Sequence, residues 1–317
     1  MIVALAGGVG GAKLAQGLAM QLPPEQLLIV VNTGDDFVHF GMHISPDIDT
    51  VMYWLSGLND AARGWGLAEE TWNFMAALER LGGPTWFSLG DRDLATHVER
   101  TQRLARGETL SQVTRHLCGR LGIAHHVAPM TDQRMRTIVY TADAALEFQH
   151  YFVRLHCEPA VTGIAFDGAQ SASPSPAFAT AMSDHAVDAI VICPSNPLLS
   201  IDPILSVPGV RERIRQKRAP VVAISPIVGG QAIKGPAAKI FRELGRDASV
   251  VAVAKHYRGL IEGIVIDTVD AGAKPAIEAL GLRVAITNTV MKNPADQARL
   301  ADDVLAFAAR MPEQAHA

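Results

Sequence analysis

An unbroken apolar run, Ile2 to Ala6, stops at Gly7-Gly8-Val9-Gly10-Gly11, and Ala12 to Met20 continues with helical composition and spacing. That pattern predicts a strand, a glycine turn and a helix. Leu27 to Val31 forms a second buried run, and with a helix between them the two strands pair in parallel. Further runs follow at Ala189 to Cys193, Val221 to Ser225, Val250 to Ala254, Gly263 to Asp267 and Val284 to Thr287. None alternates with polar residues, as strands covered on both faces should read. The expected fold class is therefore α/β, a Rossmann-like, doubly wound and mainly parallel sheet.

Between about Asp93 and Asp188 the texture changes. Leu94 to Gly122 reads as helical, Thr137 to Thr141 and Tyr151 to Leu155 as shorter strands, and Gly168 to Pro176 as a Ser/Pro-rich loop. The organisation expected is a single domain over 1–317, with a Rossmann-like core about 1–92 and 188–317 and a helical insertion or second lobe about 93–187. A small-molecule site would lie in the cleft between lobes.

Composition removes several function classes. A net charge of -4, with Lys and Arg scattered, lacks the basic footprint of a nucleic-acid binder. The three cysteines are far apart and show no CxxC spacing, against both a disulfide framework and a structural zinc site. No apolar run approaches the roughly 20 residues that span a bilayer. Met1 leads straight into the first run without a basic segment or a small-residue cleavage site, so a cytoplasmic location is expected.

The glycine cluster lets backbone approach a phosphate while the next helix offers free N–H groups and the positive end of its dipole. Ala12-Lys13-Leu14 replaces the Gly-Lys-Ser/Thr of a P-loop, so tight-turn packing is the competing reading. Lys13 reads either as a phosphate contact or as a solvated first-turn lysine.

The second strand runs into Asn32-Thr33-Gly34-Asp35-Asp36, and Ser45-Pro46-Asp47-Ile48-Asp49-Thr50 heads an apolar helix. In an open parallel sheet these acids and the glycine turn face one crevice at the carboxyl ends of the strands. Acids facing a phosphorylated ligand need a cation between them, and Mg²⁺ suits carboxylate with phosphate oxygens. One of them could serve as general base on an alcohol. The alternative is local: Ser45 as N-cap, Pro46 at the first helical position, and Asp47 and Asp49 on the helix dipole. Capping one helix needs one acid, whereas four stand here.

Gly90-Asp91-Arg92-Asp93, after Trp86-Phe87-Ser88-Leu89, forms another acid and base group at an expected strand end, where Arg92 could fork onto a carboxylate or phosphate or pair at the surface. Pro194-Ser195-Asn196-Pro197 and Ser225-Pro226-Ile227-Val228-Gly229-Gly230 end later strands with neutral hydrogen-bonding groups and flexible backbone. The eleven histidines show no HExxH spacing, and no serine sits in a GxSxG setting.

These motifs, together with Leu94-Ala95-Thr96-His97, Phe148-Gln149-His150-Tyr151-Phe152-Val153, Ser200-Ile201-Asp202-Pro203-Ile204-Leu205 and Lys234-Gly235-Pro236, resemble in order the 2-phospho-L-lactate transferase family of coenzyme F-420 synthesis. The resemblance spans nearly the whole chain. It implies transfer of a phospholactyl-type, enolpyruvyl or glyceryl relative from a guanosine diphosphate-linked donor to the ribityl hydroxyl of 7,8-didemethyl-8-hydroxy-5-deazariboflavin, with release of GMP and a need for Mg²⁺. By position it implies Asp49 and Arg92 on the deazaflavin, Asp35, Asp36 and Asp47 as metal or general-base residues, and Asp35, Asp47 and Asp49 as the metal set. Gly8, Gly10, Gly11, Lys13, Asn196, Ser225 and Gly229 would line the guanosine diphosphate. A homodimer is implied as well. Two other readings stand beside it: a UDP-sugar-binding regulatory protein of the same superfamily, and an NAD-dependent dehydrogenase, which would want an acid where Asn32 stands.

Overall fold

The computed structural model describes residues 1–183, 186–233 and 235–311. Lys234 of the Lys-Gly-Pro motif lies outside them. In chain order the strands are β1 (Ile2–Ala6), β2 (Leu27–Val31), β3 (Phe37–His39), β4 (Met42–Ile44), β5 (His126–Pro129), β6 (Arg136–Tyr140), β7 (Ala145–Glu147), β8 (Gly163–Asp167), β9 (Ala189–Ile192), β10 (Val221–Ile224), β11 (Ile227–Val228), β12 (Gln231–Ala232), β13 (Gly263–Asp267) and β14 (Arg283–Thr287). Seven of them form one sheet in the order β14-β13-β10-β9-β1-β2-β5. Every pairing in it is parallel. Counted along the chain, this is the 3-2-1-4-5-6 Rossmann order with one further strand at the end.

The order reverses between β1 and β9, and ligands of open α/β sheets bind above such a point. The turns at the carboxyl ends of these two strands are the glycine cluster and Pro194-Ser195-Asn196.

Alternate residues of β1 feed opposite layers. Val3 and Leu5 join one apolar cluster, while Ile2, Ala4 and Ala6 join the other with Leu14 and Leu18 of α1 (Gly8–Gln21). Both faces of the sheet are thus covered, and burial of apolar area at roughly 25 cal/mol per Å² supplies the main drive to fold. Helix α1 also packs on the helix Pro294–Ala309, and Gly17 makes that approach possible, because a Cβ there would overlap the Gln297 carbonyl.

Three expectations are corrected. Val250 to Ala254 is not a strand but the start of the helix Val250–His256, capped by the Ser249 hydroxyl, which accepts from the Ala252 N–H at 3.1 Å. An apolar run of five cannot by itself distinguish a buried helix from a strand, and the cap decides. Tyr151 to Leu155 forms a turn of π-helix, His150–Arg154, with only Tyr151 buried. Trp86 to Leu89 is a loop, held by Leu89 packing with Phe37, Ile44 and Met75. The segment 93–187 carries a three-stranded antiparallel sheet, β7-β6-β8, and the helices Asp93–Ala105 and Leu110–Arg120, yet it also contributes β5 to the edge of the central sheet. No helix of the described residues is long and apolar enough to cross a membrane.

Gly17→Ala tests the packing of α1. Alanine at an open helical site gains about 0.5–1 kcal/mol over glycine, whereas overpacking costs about 1–3 kcal/mol. We expect a net loss of stability, read as a lower melting temperature; an unchanged or higher one would show that the two helices separate without cost.

Candidate active site

One cleft of about 630 Å³ opens over the carboxyl ends of β1, β2 and β9, a size suited to a cofactor-scale ligand. The glycine turn, Asp35, Asp47, Asn196 and Ser225 line it, and Trp65, Phe87, Phe148 and Phe152 bring aromatic rings to it.

Asp47 is the keystone of the acidic side. It stands in the first turn of α2 (Pro46–Leu55), and its Oδ1 accepts the Gly8 N–H at 2.7 Å, so it also meets the start of α1. Two helix N-termini thus face one carboxylate, the arrangement the helix dipole favours. Gly7 has no alternative in this geometry: a Cβ there would lie 2.6 Å from Asp47 Oδ2 and 2.7 Å from Ser200 Cβ. Gly8 adopts a left-handed φ of 62°. The glycine turn is therefore first a seat for a carboxylate. Gly10 and Gly11 pack in turn on the Pro194 carbonyl and the Ser195 hydroxyl, so tight-turn packing accounts for their lack of side chains.

Asn32, fully buried at the tip of β2, donates its Nδ2 to Asp35 Oδ1 at 3.1 Å and to Asp47 Oδ2 at 2.9 Å. The dehydrogenase reading wanted an acid here; an amide that clasps two acids takes its place. Burial, then the charge of Asp47, pushes the Asp35 carboxyl well above the usual range. Burial likewise raises Asp47 to about 6, against the opposing hydrogen bonds from Asn32 and Gly8. One shared amide is a weak answer to two buried negative charges. Mg²⁺ fits this donor set, since it takes one or two carboxylates and fills its remaining positions with water and phosphate oxygens.

Asp36 lies outside the lining. Its Oδ2 accepts from the Ser45 hydroxyl at 2.7 Å and stands 3.0 Å from His43 Nε2, which braces the β3–β4 hairpin against α2. Lys13 lines the cleft with its Nζ donated to the Met291 carbonyl at 2.8 Å and 5.3 Å from the Trp54 ring centroid. Asn196 lines it too, its Oδ1 accepting from the Leu198 N–H at 3.0 Å while its Nδ2 is buried without a partner. Ser225 reaches the cleft, and its hydroxyl donates to the Ile227 carbonyl at 2.9 Å. Gly11 and Gly229 are not lining residues; the Gly229 N–H donates to Asp270.

Two of the expected site residues stand apart from the Asp35–Asp47 pair. Asp49 does not join Asp35 and Asp47, because two helical residues' separation turns it through about 200°, and its carboxylate is taken by Arg100 in a buried ion pair. Among the described residues no three His, Cys, Asp or Glu side chains converge to hold a metal by themselves. Arg92 is half exposed, its guanidinium donating to the Ala68 carbonyl at 2.9 Å and 3.5 Å from Glu69, away from the lining. The missed residues are Asn32, Tyr53, His97 and Arg100. Asp93, His97 and Arg100 stand at i, i+4 and i+7, a polar stripe on one helix face that was the available signal.

The chain matches the family model described as 2-phospho-L-lactate transferase CofD over residues 2–290. It belongs to that family. It is therefore a transferase, of the class that serves coenzyme F-420 biosynthesis. It is 42% identical over 314 residues to a phosphoenolpyruvate transferase of Kitasatospora aureofaciens, covering 97% of each chain. It is 36% identical over 304 residues to a 2-phospho-L-lactate transferase of Methanosarcina acetivorans, covering 96% of this chain and 98% of the relative. A crystal structure of a Bacillus halodurans protein of the UPF0052 family shares the fold, with a TM-score of 0.61 at 15% identity over 96% of this chain and 98% of that one.

The raised carboxyls of this CofD-family site carry a stability cost with a definite sign. A carboxyl whose folded pKa is raised contributes stability below its unfolded value that is lost as pH rises through the folded one. For Asp47 the window runs from about 4, the ordinary value, to about 6. Without added metal, the melting temperature should fall across that window. Asp35→Asn keeps an acceptor for Asn32 and removes one charge, so it should melt higher than wild type at pH 7. A lower melting temperature would mean that the pair is already neutralised.

Proposed function

We propose that the chain transfers a phosphorylated three-carbon acid from a guanosine diphosphate-linked donor to the ribityl hydroxyl of 7,8-didemethyl-8-hydroxy-5-deazariboflavin and releases GMP. The observation that carries this reading is the clasped pair Asp35 and Asp47 beside the glycine turn, in one cleft that aromatic rings also line. Such a cleft suits a ligand that combines a diphosphate with a planar ring system. The relatives named phosphoenolpyruvate transferases, at 42% identity against 36% for the archaeal phospholactate enzyme, favour the enolpyruvyl donor. We take the working unit to be a cytoplasmic homodimer, on the family resemblance.

In this proposal Asp35, with Asp47 beside it, would hold Mg²⁺, which would supply positive charge against the diphosphate oxygens. The alcohol oxygen attacks the distal phosphorus, and the bond from that phosphorus to the bridging oxygen breaks. GMP departs with the bonding electrons. Asp47, which lines the cleft beside Asp35, is placed to accept the hydroxyl proton. Orientation and charge stabilisation supply most of the acceleration, as in phosphoryl transfer generally.

The test is an assay with the deazaflavin alcohol, Mg²⁺ and each of the lactyl, enolpyruvyl and glyceryl donors, following GMP release and product mass. Product with one donor supports the reading and names the acid; none with any donor, from folded protein, sinks it in favour of the UDP-sugar regulator. Asp35→Asn should lower turnover by about a hundredfold or more while remaining folded. Near-wild-type turnover in that variant would remove the acid pair from the chemistry.

A further inference from the structure

Three large apolar side chains that stand open to solvent also line the cleft: Trp65 at 45%, Phe152 at 39% and Ile233 at 54% exposure. A residue that both lines a cleft and meets bulk water stands at its mouth. The three come from separate parts of the chain. Trp65 belongs to the loop after α2, Phe152 to the π-helical turn His150–Arg154, and Ile233 to the segment between β12 and the helix Ala237–Glu243. Single exposed apolar residues are ordinary at a protein surface, but three segments that each bring one to the same rim form a collar. Asp35 and Asp47, which line the same cleft, are buried.

Two members of the collar are held in place. The Arg63 guanidinium lies 5.4 Å from the Trp65 ring centroid and 5.1 Å from that of Trp72, within cation–π range of both. It stands 2.9 Å from Asp60 Oδ2, and its Nη2 donates to the Leu67 carbonyl at 2.7 Å. The loop also bonds to itself, the Asp60 N–H donating to the Gly66 carbonyl at 3.1 Å and the Gly64 N–H to the Asp60 carbonyl at 2.8 Å. Phe152 stacks on Phe148 with ring centroids 5.2 Å apart and planes at 13°. Trp65 is thus presented to solvent by a self-bonded loop.

In the proposed reaction the attacking atom is a hydroxyl oxygen, and water offers the same atom at far higher concentration. Attack by water would join its oxygen to the distal phosphorus and break the bond to the bridging oxygen. GMP would leave with the bonding electrons, a water proton would pass to the acid pair, and the free phosphorylated acid would be the product. A carboxylate cannot tell an alcohol proton from a water proton, so discrimination has to come from excluding water around the reacting atoms. Resting on the proposed transfer, we infer that Trp65, Phe152 and Ile233 form an apolar collar that sets acceptor specificity by shutting water out of the filled cleft, with Arg63 positioning Trp65. The collar touches no reacting atom.

The experiment counts GMP and transfer product separately at saturating alcohol for wild type, Trp65→Ala, Trp65→Phe and Ile233→Ser, and repeats wild type and Trp65→Ala in heavy-oxygen water. Wild type should form GMP and product in equal amounts. In Trp65→Ala we expect donor hydrolysis to rise about tenfold or more, the free phosphorylated acid carrying the labelled oxygen, and in Trp65→Phe most of the coupling to return. The shortfall of product against GMP should persist when the alcohol is raised further. Ile233→Ser should show the same shortfall, and it carries the test if Trp65→Ala does not fold. Equal GMP and product in the folded variants, or a shortfall that more alcohol abolishes, would confine these residues to binding or packing and overturn the inference. No GMP from wild type with any donor would instead defeat the proposed reaction, a separate result.

Discussion

The Asp47 carboxylate, lodged under the glycine turn, is the contact on which the rest of the site depends. It meets the Gly8 N–H at the start of α1, the Asn32 amide at the tip of β2 and, through the chain, the first turn of α2. Three elements that could pivot about the sheet edge are therefore fixed to one anion. The geometry leaves no room for a Cβ at residue 7, and the same crowding brings Ser200, from the turn after β9, against the turn after β1. The reversal of strand order opens a crevice, and Asp47 sets its floor.

That arrangement is held at a cost in the free protein. Burial raises both Asp35 and Asp47, the charge of Asp47 adds to the rise at Asp35 and that of Asp36 to the rise at Asp47, and one amide cannot neutralise both. The neighbouring Asp49 solves the same problem differently. Burial raises it too, but the Arg100 guanidinium opposes the rise, and truncating one side of such a buried pair costs about 3–5 kcal/mol. Asp93 goes further: burial would raise it, yet the His97 and Tyr53 hydrogen bonds outweigh burial and hold it below the usual range. The cleft thus contains carboxylates of two kinds, a pair short of positive charge and a pair supplied with it. In the proposed reaction the first would have a use for a cation brought with a diphosphate, and the second would not.

Much of this was legible in the residues. The buried strands β1, β2, β9, β10 and β13 are apolar runs between glycine, proline and helical stretches, and β14 keeps an apolar run although it is half-exposed at the sheet edge. β5 was not legible, because His126-Val-Ala-Pro129 has only two apolar residues between a histidine and a proline at a sheet edge. The acid cluster was readable as a site because four acids exceed what one helix start needs. Its division into partners was not, since Asn32 becomes a clasp and Arg100 a counter-ion only through contacts 15 and 51 residues away in sequence. Arg92 drew attention by adjacency to Asp91 and Asp93, but it is Asp93, one position on, that turns inward.

The glycine turn shows how the parts of one motif divide their work once the chain is folded. Glycines before a helix suggest a phosphate on free N–H groups. Here the Gly8 N–H is already given to Asp47, Gly10 and Gly11 make room for the Pro194-Ser195 turn, and Gly7 makes room for the carboxylate itself. A phosphate approaching this turn meets an anion in the position that a P-loop keeps for the phosphate. The dipoles of α1 and α2 attract it, and Asp35 and Asp47 repel it at shorter range. In the proposed reaction a divalent cation held at Asp35, beside Asp47, would resolve that conflict by setting positive charge between the acids and the phosphate. The turn and the acids therefore form one device: the glycines place the carboxylates, and in the proposed reaction the carboxylates would make binding of the diphosphate conditional on a cation.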